Sequence, residues 1–117
     1  SHTLLQTVSQ HSGLRIGEVR DGSELKRGHV YCANGDYHLA VEAGKTGYVM
    51  RCLYEEEWKG YRPSVDVLFR SAIPIASKSI AMILSGMGQD GADALEELHR
   101  EGAYTMAQSE EDAIVFG

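Results

Sequence analysis

An α/β domain is the class the sequence predicts, and three patterns predict it. Residues 79–100 run from an apolar segment through a glycine-rich turn into a helical pattern. Strand, tight loop and helix in that order are the unit from which parallel sheets are built. Residues 14–54 are cut by glycines into short β-like runs, and the linkers between them suit antiparallel pairing better than long crossovers. Between residues 65 and 76, Val65, Leu68, Phe69, Ala72, Ile73 and Ala76 recur at helical spacing.

The chain of 117 residues is short enough for one domain with a modest core. An apolar fraction of 43% and a charged fraction of 24% are ordinary for a globular protein. The net charge of −6, with no Lys/Arg cluster, argues against a nucleic-acid partner. No apolar run approaches the ~20 residues that cross a bilayer, and no basic-then-apolar leader is read. No membrane insertion and a cytoplasmic location are therefore expected. Cys32 and Cys52 sit in apolar runs without a CxxC pair, so free thiols are expected rather than a metal site or a disulfide. No metal and no cofactor is expected.

In chain order, residues 3–12 predict a short helix with Leu4, Leu5 and Val8 on its buried stripe. It ends near Gly13, with His11 placed to bond last-turn carbonyls. Residues 16–20, 29–33, 37–42 and 48–54 read as strands, and Asn34-Gly35-Asp36 reads as a hairpin turn between the second and third. Glu55-Glu56-Glu57 and the Trp58-Lys59-Gly60 that follows read as a solvated loop. Pro63 fits the first turn of the next helix, and Pro74 interrupts that helix. Residues 80–84 predict a strand buried on both faces. A helix over 91–100 ends at Glu101-Gly102 and serves as the crossover to a parallel strand over 103–108. A polar turn at 109–112 and one more strand from 113 complete the pattern.

The glycine-rich turn, Gly86-Met87-Gly88-Gln89-Asp90-Gly91, admits three readings. It can be structural, with Asp90 capping the helix that follows. It can be a dinucleotide loop, because it matches GxGxxG after a strand and before a helix. Asp90 opposes that reading, since a carboxylate would stand beside the pyrophosphate. It can also be a hydrolase loop, with Asp90 orienting a histidine and the Met87 amide stabilising an oxyanion. Composition and spacing leave the three open.

Four segments, read together, resemble one family. They are VYCANGDYHL at 30–39, RPSVDVLF at 62–69, LSGMGQDG at 84–91 and GAYTMAQ at 102–108. They resemble the catalytic domain of the chemotaxis protein-glutamate methylesterases over nearly the whole chain, the second and third most specifically. The resemblance implies a doubly wound, mainly parallel α/β sheet with an antiparallel hairpin. It implies hydrolysis of glutamyl methyl esters, and deamidation of glutamines, on chemoreceptors by a Ser-His-Asp triad. The triad aspartate maps onto Asp90 and the oxyanion amide onto Met87, while Arg62, Ser64 and His38 fall in segments near the family's cleft.

Departures from the family pattern matter as much. Its serine follows the first strand and its histidine the second, and residues before Leu14 supply neither. Asn34 stands where the family usually has proline. The expectation is a single partial methylesterase-type domain over 1–117, inactive alone, whose exposed sheet edge invites self-association. Local substitutes for the missing groups are His29, His38, His99, Ser64 and Ser85. The alternatives are a non-catalytic binding or assembly module and, further off, a dinucleotide-binding domain.

Overall fold

The computed structural model describes residues 2–84, 89–108 and 114–116. Helix α1 (His2–Ser12) opens the chain and packs on a two-residue strand β1 (Arg15–Ile16), which pairs with β2 (His29–Val30). Leu5 and Val8 of α1 are half-buried, whereas Leu4 faces solvent. His11 Nδ1 lies 3.3 Å from the Thr7 carbonyl, one turn back.

The β1–β2 pair is parallel, with Arg15 opposite His29, and departs from the antiparallel pairing expected for residues 14–54. A ladder this short needs no helical crossover. The loop of residues 17–28 instead travels to the next sheet and returns. On the way its backbone bonds strand β4 (Tyr48–Leu53): Gly22 N donates to Met50 O, Met50 N to Ser23 O and Leu25 N to Tyr48 O, each at 2.8 Å. Asp21 Oδ1 accepts from Cys52 N at 2.9 Å. The loop therefore blunts an edge that would otherwise be open.

Strand β3 (His38–Ala43) pairs antiparallel with β4, His38 opposite Leu53 and Ala43 opposite Tyr48. The hairpin expected between residues 29–33 and 37–42 does not form; the hairpin present is β3–β4. It closes where Gly44 N donates to Gly47 O at 2.7 Å, not at residues 34–36. Asn34 instead makes a local turn, its Oδ1 accepting from Asp36 N at 2.9 Å. The reason is that β2 is committed to β1, so the chain leaving it has no strand to fold back upon.

Helix α2 (Val65–Ser71) packs across β3. Its cap is Ser64, whose Oγ accepts from Val67 N at 3.2 Å. Pro63 thus precedes the cap rather than occupying the first turn. The helical spacing read through residue 76 breaks at Ser71, and a 3-10 segment, Ile73–Lys78, takes over with Pro74 in its first turn.

Strand β5 (Ile80–Ile83), helix α3 (Ala92–Arg100) and strand β6 (Tyr104–Gln108) form the predicted unit. Strands β5 and β6 are parallel, Ile80 opposite Tyr104 and Ile83 opposite Ala107. Strand β7 (Ile114–Phe116) adds antiparallel to β6. The polar turn at 109–112 lies outside the described residues. One core cluster, Ala76, Ala81, Leu98 and Ala103, is lined by Phe69, Ala72, Ile73 and Leu95. It binds α3 and the 3-10 segment to one face of β5 and β6.

The other face differs from expectation. Ile80 is 70% exposed and Met82 43%, with Leu84 and Tyr104 also open. Strand β5 alternates like a one-sided strand because no described element covers its second face, and β5 stands at the edge of its sheet. Among the described residues no helix is long and apolar enough to cross a membrane.

Candidate functional site

Asp90 sits between β5 and α3, where strand ends and helix starts converge. Its carboxylate does not cap α3. That helix begins at Gly91 in the left-handed region, φ 88°, with no side-chain cap. The carboxylate reaches across to the amino terminus of α2 instead. Oδ1 accepts from Ser64 Oγ at 2.8 Å and from Asp66 N at 3.1 Å, and Oδ2 accepts from Val65 N at 2.7 Å. Short bonds of this kind, from a hydroxyl and backbone N–H groups to an ionised carboxylate, are among the stronger ones in proteins. The positive end of α2 adds a favourable field. With about four lone-pair sites on a carboxylate, Oδ2 has room for one donor beyond those that the described residues supply.

Ser64 is buried, and so is His38. His38 Nδ1 lies 3.1 Å from Ser64 N and its Nε2 lies 2.8 Å from Glu56 O. A backbone N–H must donate and a carbonyl must accept, so the ring is the neutral tautomer with its proton on Nε2. Neither nitrogen is left to take a proton from the Ser64 hydroxyl, which itself donates to Asp90. Ser64, His38 and Asp90 are therefore neighbours without being a nucleophile–base–acid relay.

Arg62 has a different task. Its Nε donates to Gly35 O at 2.8 Å and its Nη1 to Glu55 O at 3.2 Å, tying the turn before β3 to the loop after β4. It lines a separate opening with Glu56, Glu57 and Gly60 rather than the cleft at Asp90. Met87 lies outside the described residues, as do Ser85, Gly86 and Gly88.

Beside Asp90 opens a cleft of about 330 Å³, walled by Trp58, Lys59 and Tyr61 on one side and by Asp66, Gln89 and Asp93 on the other. The Trp58 wall departs from the solvated loop that the sequence predicts. It is a tight turn in which Trp58 and Tyr61 exchange both backbone bonds, at 2.8 and 2.9 Å. Lys59 (φ 51°) and Gly60 (φ 88°) occupy its two central positions in the left-handed region, as a type I′ turn requires. The signal available in the sequence was an X-Gly pair between two aromatics. Lys59 Nζ stands 5.7 Å from the Trp58 ring centroid, within cation–π range.

Behind the cleft, Arg70 bridges Asp66 (2.8 Å) on its own helix and Glu97 (2.9 Å) on α3. The hydrogen bond to Asp66 raises the Arg70 guanidinium above its already high range, so it stays charged. Burial, with Asp21 adding, pushes the Cys52 thiol up and keeps it protonated, which argues against a cysteine nucleophile. Both cysteines are free. Among the described residues no group of three or more His, Cys, Asp or Glu is placed to hold a metal.

Asp90 and Asp93 both line the cleft beside the start of α3, and two carboxylates there oppose a bound pyrophosphate. The arrangement suits a group that donates to Asp90: an imidazole N–H entering the cleft would complete its hydrogen bonding.

Comparison with known proteins gives one answer. The family model described as CheB methylesterase matches residues 1–117. A protein-glutamate methylesterase/protein-glutamine glutaminase of Yersinia pestis bv. Antiqua is 44% identical over 118 residues, covering 100% of this chain and 34% of that protein. The protein of the same description from Halalkalibacterium halodurans is 41% identical with the same coverage. The crystal structure of the Thermotoga maritima CheB methylesterase catalytic domain superposes with a TM-score of 0.83 at 34% identity. It matches 98% of this chain and 61% of its own. The chain therefore spans about a third of the length of the curated relatives it matches.

Proposed function

The chain belongs to the CheB methylesterase family, and we propose that it is the aspartate-bearing part of a protein-glutamate methylesterase catalytic domain, a single partial domain over residues 1–117. Its role is to seat Asp90 at a cleft so that the carboxylate orients the triad histidine. The reaction is hydrolysis of glutamyl methyl esters, and of glutamine amides, on cytoplasmic portions of chemoreceptors. The observation that carries the reading is the Asp90 carboxylate, fixed by three donors from residues 64–66 in the wall of the cleft, with one donor on Oδ2 among the described residues. No resident cofactor enters this reading. By the same resemblance, Met87 is the position of the oxyanion amide.

Alone, the chain is inactive. Among the described residues no serine stands free beside an available base: Ser64 donates to Asp90, and both His38 nitrogens are engaged. A hydroxyl without a base is too weak a nucleophile to open the reaction. Mixing this chain with the amino-terminal portion of a methylesterase catalytic domain is expected to produce ester hydrolysis that neither part shows by itself. A stable complex of the two with no hydrolysis would instead favour a non-catalytic assembly module.

The same reading places a partner on the open sheet. Ile80, Met82, Leu84 and Tyr104 form an apolar face, and among the described residues β5 is an edge strand beside it. In the isolated chain, a second copy covers this surface. Sedimentation is expected to show a dimer that dissociates in Met82→Glu. A wild-type chain that sediments as a monomer at high concentration would contradict the proposal.

A further inference from the structure

We infer that His38 is a positioning residue that fixes both walls of the cleft at once, an inference resting on the methylesterase reading only where it touches catalysis. The ring is 1% exposed and has two partners, each belonging to a different wall. Through Nδ1 it takes the N–H of Ser64, the residue that caps α2 and whose hydroxyl and two following amides grip Asp90. Through Nε2 it donates to the carbonyl of Glu56, two residues before the turn that carries Trp58 and Tyr61. One imidazole, anchored at the start of β3, therefore sets the spacing between the Asp90 seat and the aromatic wall facing it. The Ser64 hydroxyl cannot do this, since it reaches only the Asp90 side. Arg62 cannot either, since its bonds end on Gly35 and Glu55.

Two substitutions separate the two arms. Asparagine puts its amide oxygen where Nδ1 stands and has nothing at Nε2. Glutamine puts its amide nitrogen where Nε2 stands and has nothing at Nδ1. His38→Asn keeps the Ser64 contact and releases Glu56; His38→Gln does the opposite. Each wall has its own probe. Trp58 is the only tryptophan in the chain, so fluorescence reports the turn alone. The amide protons of Val65 and Asp66 bond the Asp90 carboxylate directly, so their downfield shifts report its seating.

The expected result is a crossover. His38→Asn shifts the Trp58 emission and leaves both amides in place. His38→Gln loses the downfield shift of both amides and leaves the emission unchanged. Both probes moving together in both variants, or neither moving in either, overturns the inference. Should neither variant fold, imidazole nitrogen spectra of the wild-type chain decide. A proton on Nε2, with a scalar coupling from Ser64 N–H to Nδ1, supports the bracket, and a proton on Nδ1 refutes it. In the domain assembled with its amino-terminal portion, His38→Gln is expected to lower kcat on the order of tenfold to a hundredfold with KM held, the size of loss a small misplacement causes. An unchanged kcat there would refute the catalytic part of the inference. If Asp90→Asn also left kcat untouched, the triad reading would fail instead, while the crossover still judged the bracket.

Discussion

Replacing Asp90 with alanine is expected to lower the unfolding free energy by about 3 kcal/mol, a large loss for one partly exposed side chain. Three donors lose their acceptor together: Ser64 Oγ, Val65 N and Asp66 N. Bonds to a charged group contribute roughly 1.5–3 kcal/mol each, and they are not additive when they share one carboxylate. Water can replace the acceptor at Val65, whose bond is exposed, but less well at Ser64 and Asp66, which are buried. Losing negative charge at the amino end of α2 adds a few tenths more. Urea titration should show a lower midpoint at unchanged slope. A midpoint equal to that of wild type would mean the carboxylate does not hold α2. Alanine at this position therefore mixes a stability defect with any catalytic one, and asparagine is the better catalytic probe.

The second large effect is expected at Gly91. Its φ of 88° lies where side chains are strained, and a Cβ there would stand 2.5 Å from Val65 Cγ1 and 3.0 Å from Val65 Cβ. A valine adds backbone strain of ~1–2 kcal/mol to overpacking of ~1–3 kcal/mol. Gly91→Val should cost about 4 kcal/mol, by thermal or denaturant unfolding. The damage is directional. It pushes the first residue of α2 away from the first turn of α3, and Val65 N is one of the donors on Asp90. A cycle isolates the contact: Gly91→Ala should cost distinctly less in a Val65→Ala background than in the wild type. Equal costs in the two backgrounds would leave only the dihedral strain and remove Val65 from the account.

What could be read from the sequence was local. The apolar run of β5, the helical period of α3 and Gly102 after it follow from neighbouring residues, and the β5–α3–β6 unit forms as those signals predict. Partner choice was not local. Nothing near residues 29–33 says that β2 is committed to a parallel partner, so the turn signal at 34–36 points to a hairpin that does not form. Both faces of β5 looked buried because Ile80 and Met82 are as apolar as Ala81 and Ile83, and apolarity does not say what covers it. Asp90 was legible as a special residue, from its place after the strand and from the resemblance. Its grip on α2 was not, because the donors lie 24 to 26 residues upstream. The resemblance puts Ser64 in a segment near the family's cleft. That serine is the joint between the cap of α2 and the carboxylate, a role that only the packing of α2 against α3 reveals. Arg62 and the Trp58 turn exchange the places the sequence suggested, the arginine bonding two carbonyls and the turn forming a wall of the cleft.

The most direct measurement is the rate of glutamyl methyl ester hydrolysis by the domain assembled from this chain and its amino-terminal portion, with Asp90 and with Asp90→Asn. If Asp90 orients the triad histidine, kcat in the variant falls on the order of 10³- to 10⁴-fold while KM stays within a few-fold, the size of loss seen when a triad aspartate is replaced by its amide. A variant that binds the amino-terminal portion normally and turns over ester at the wild-type rate would contradict the account.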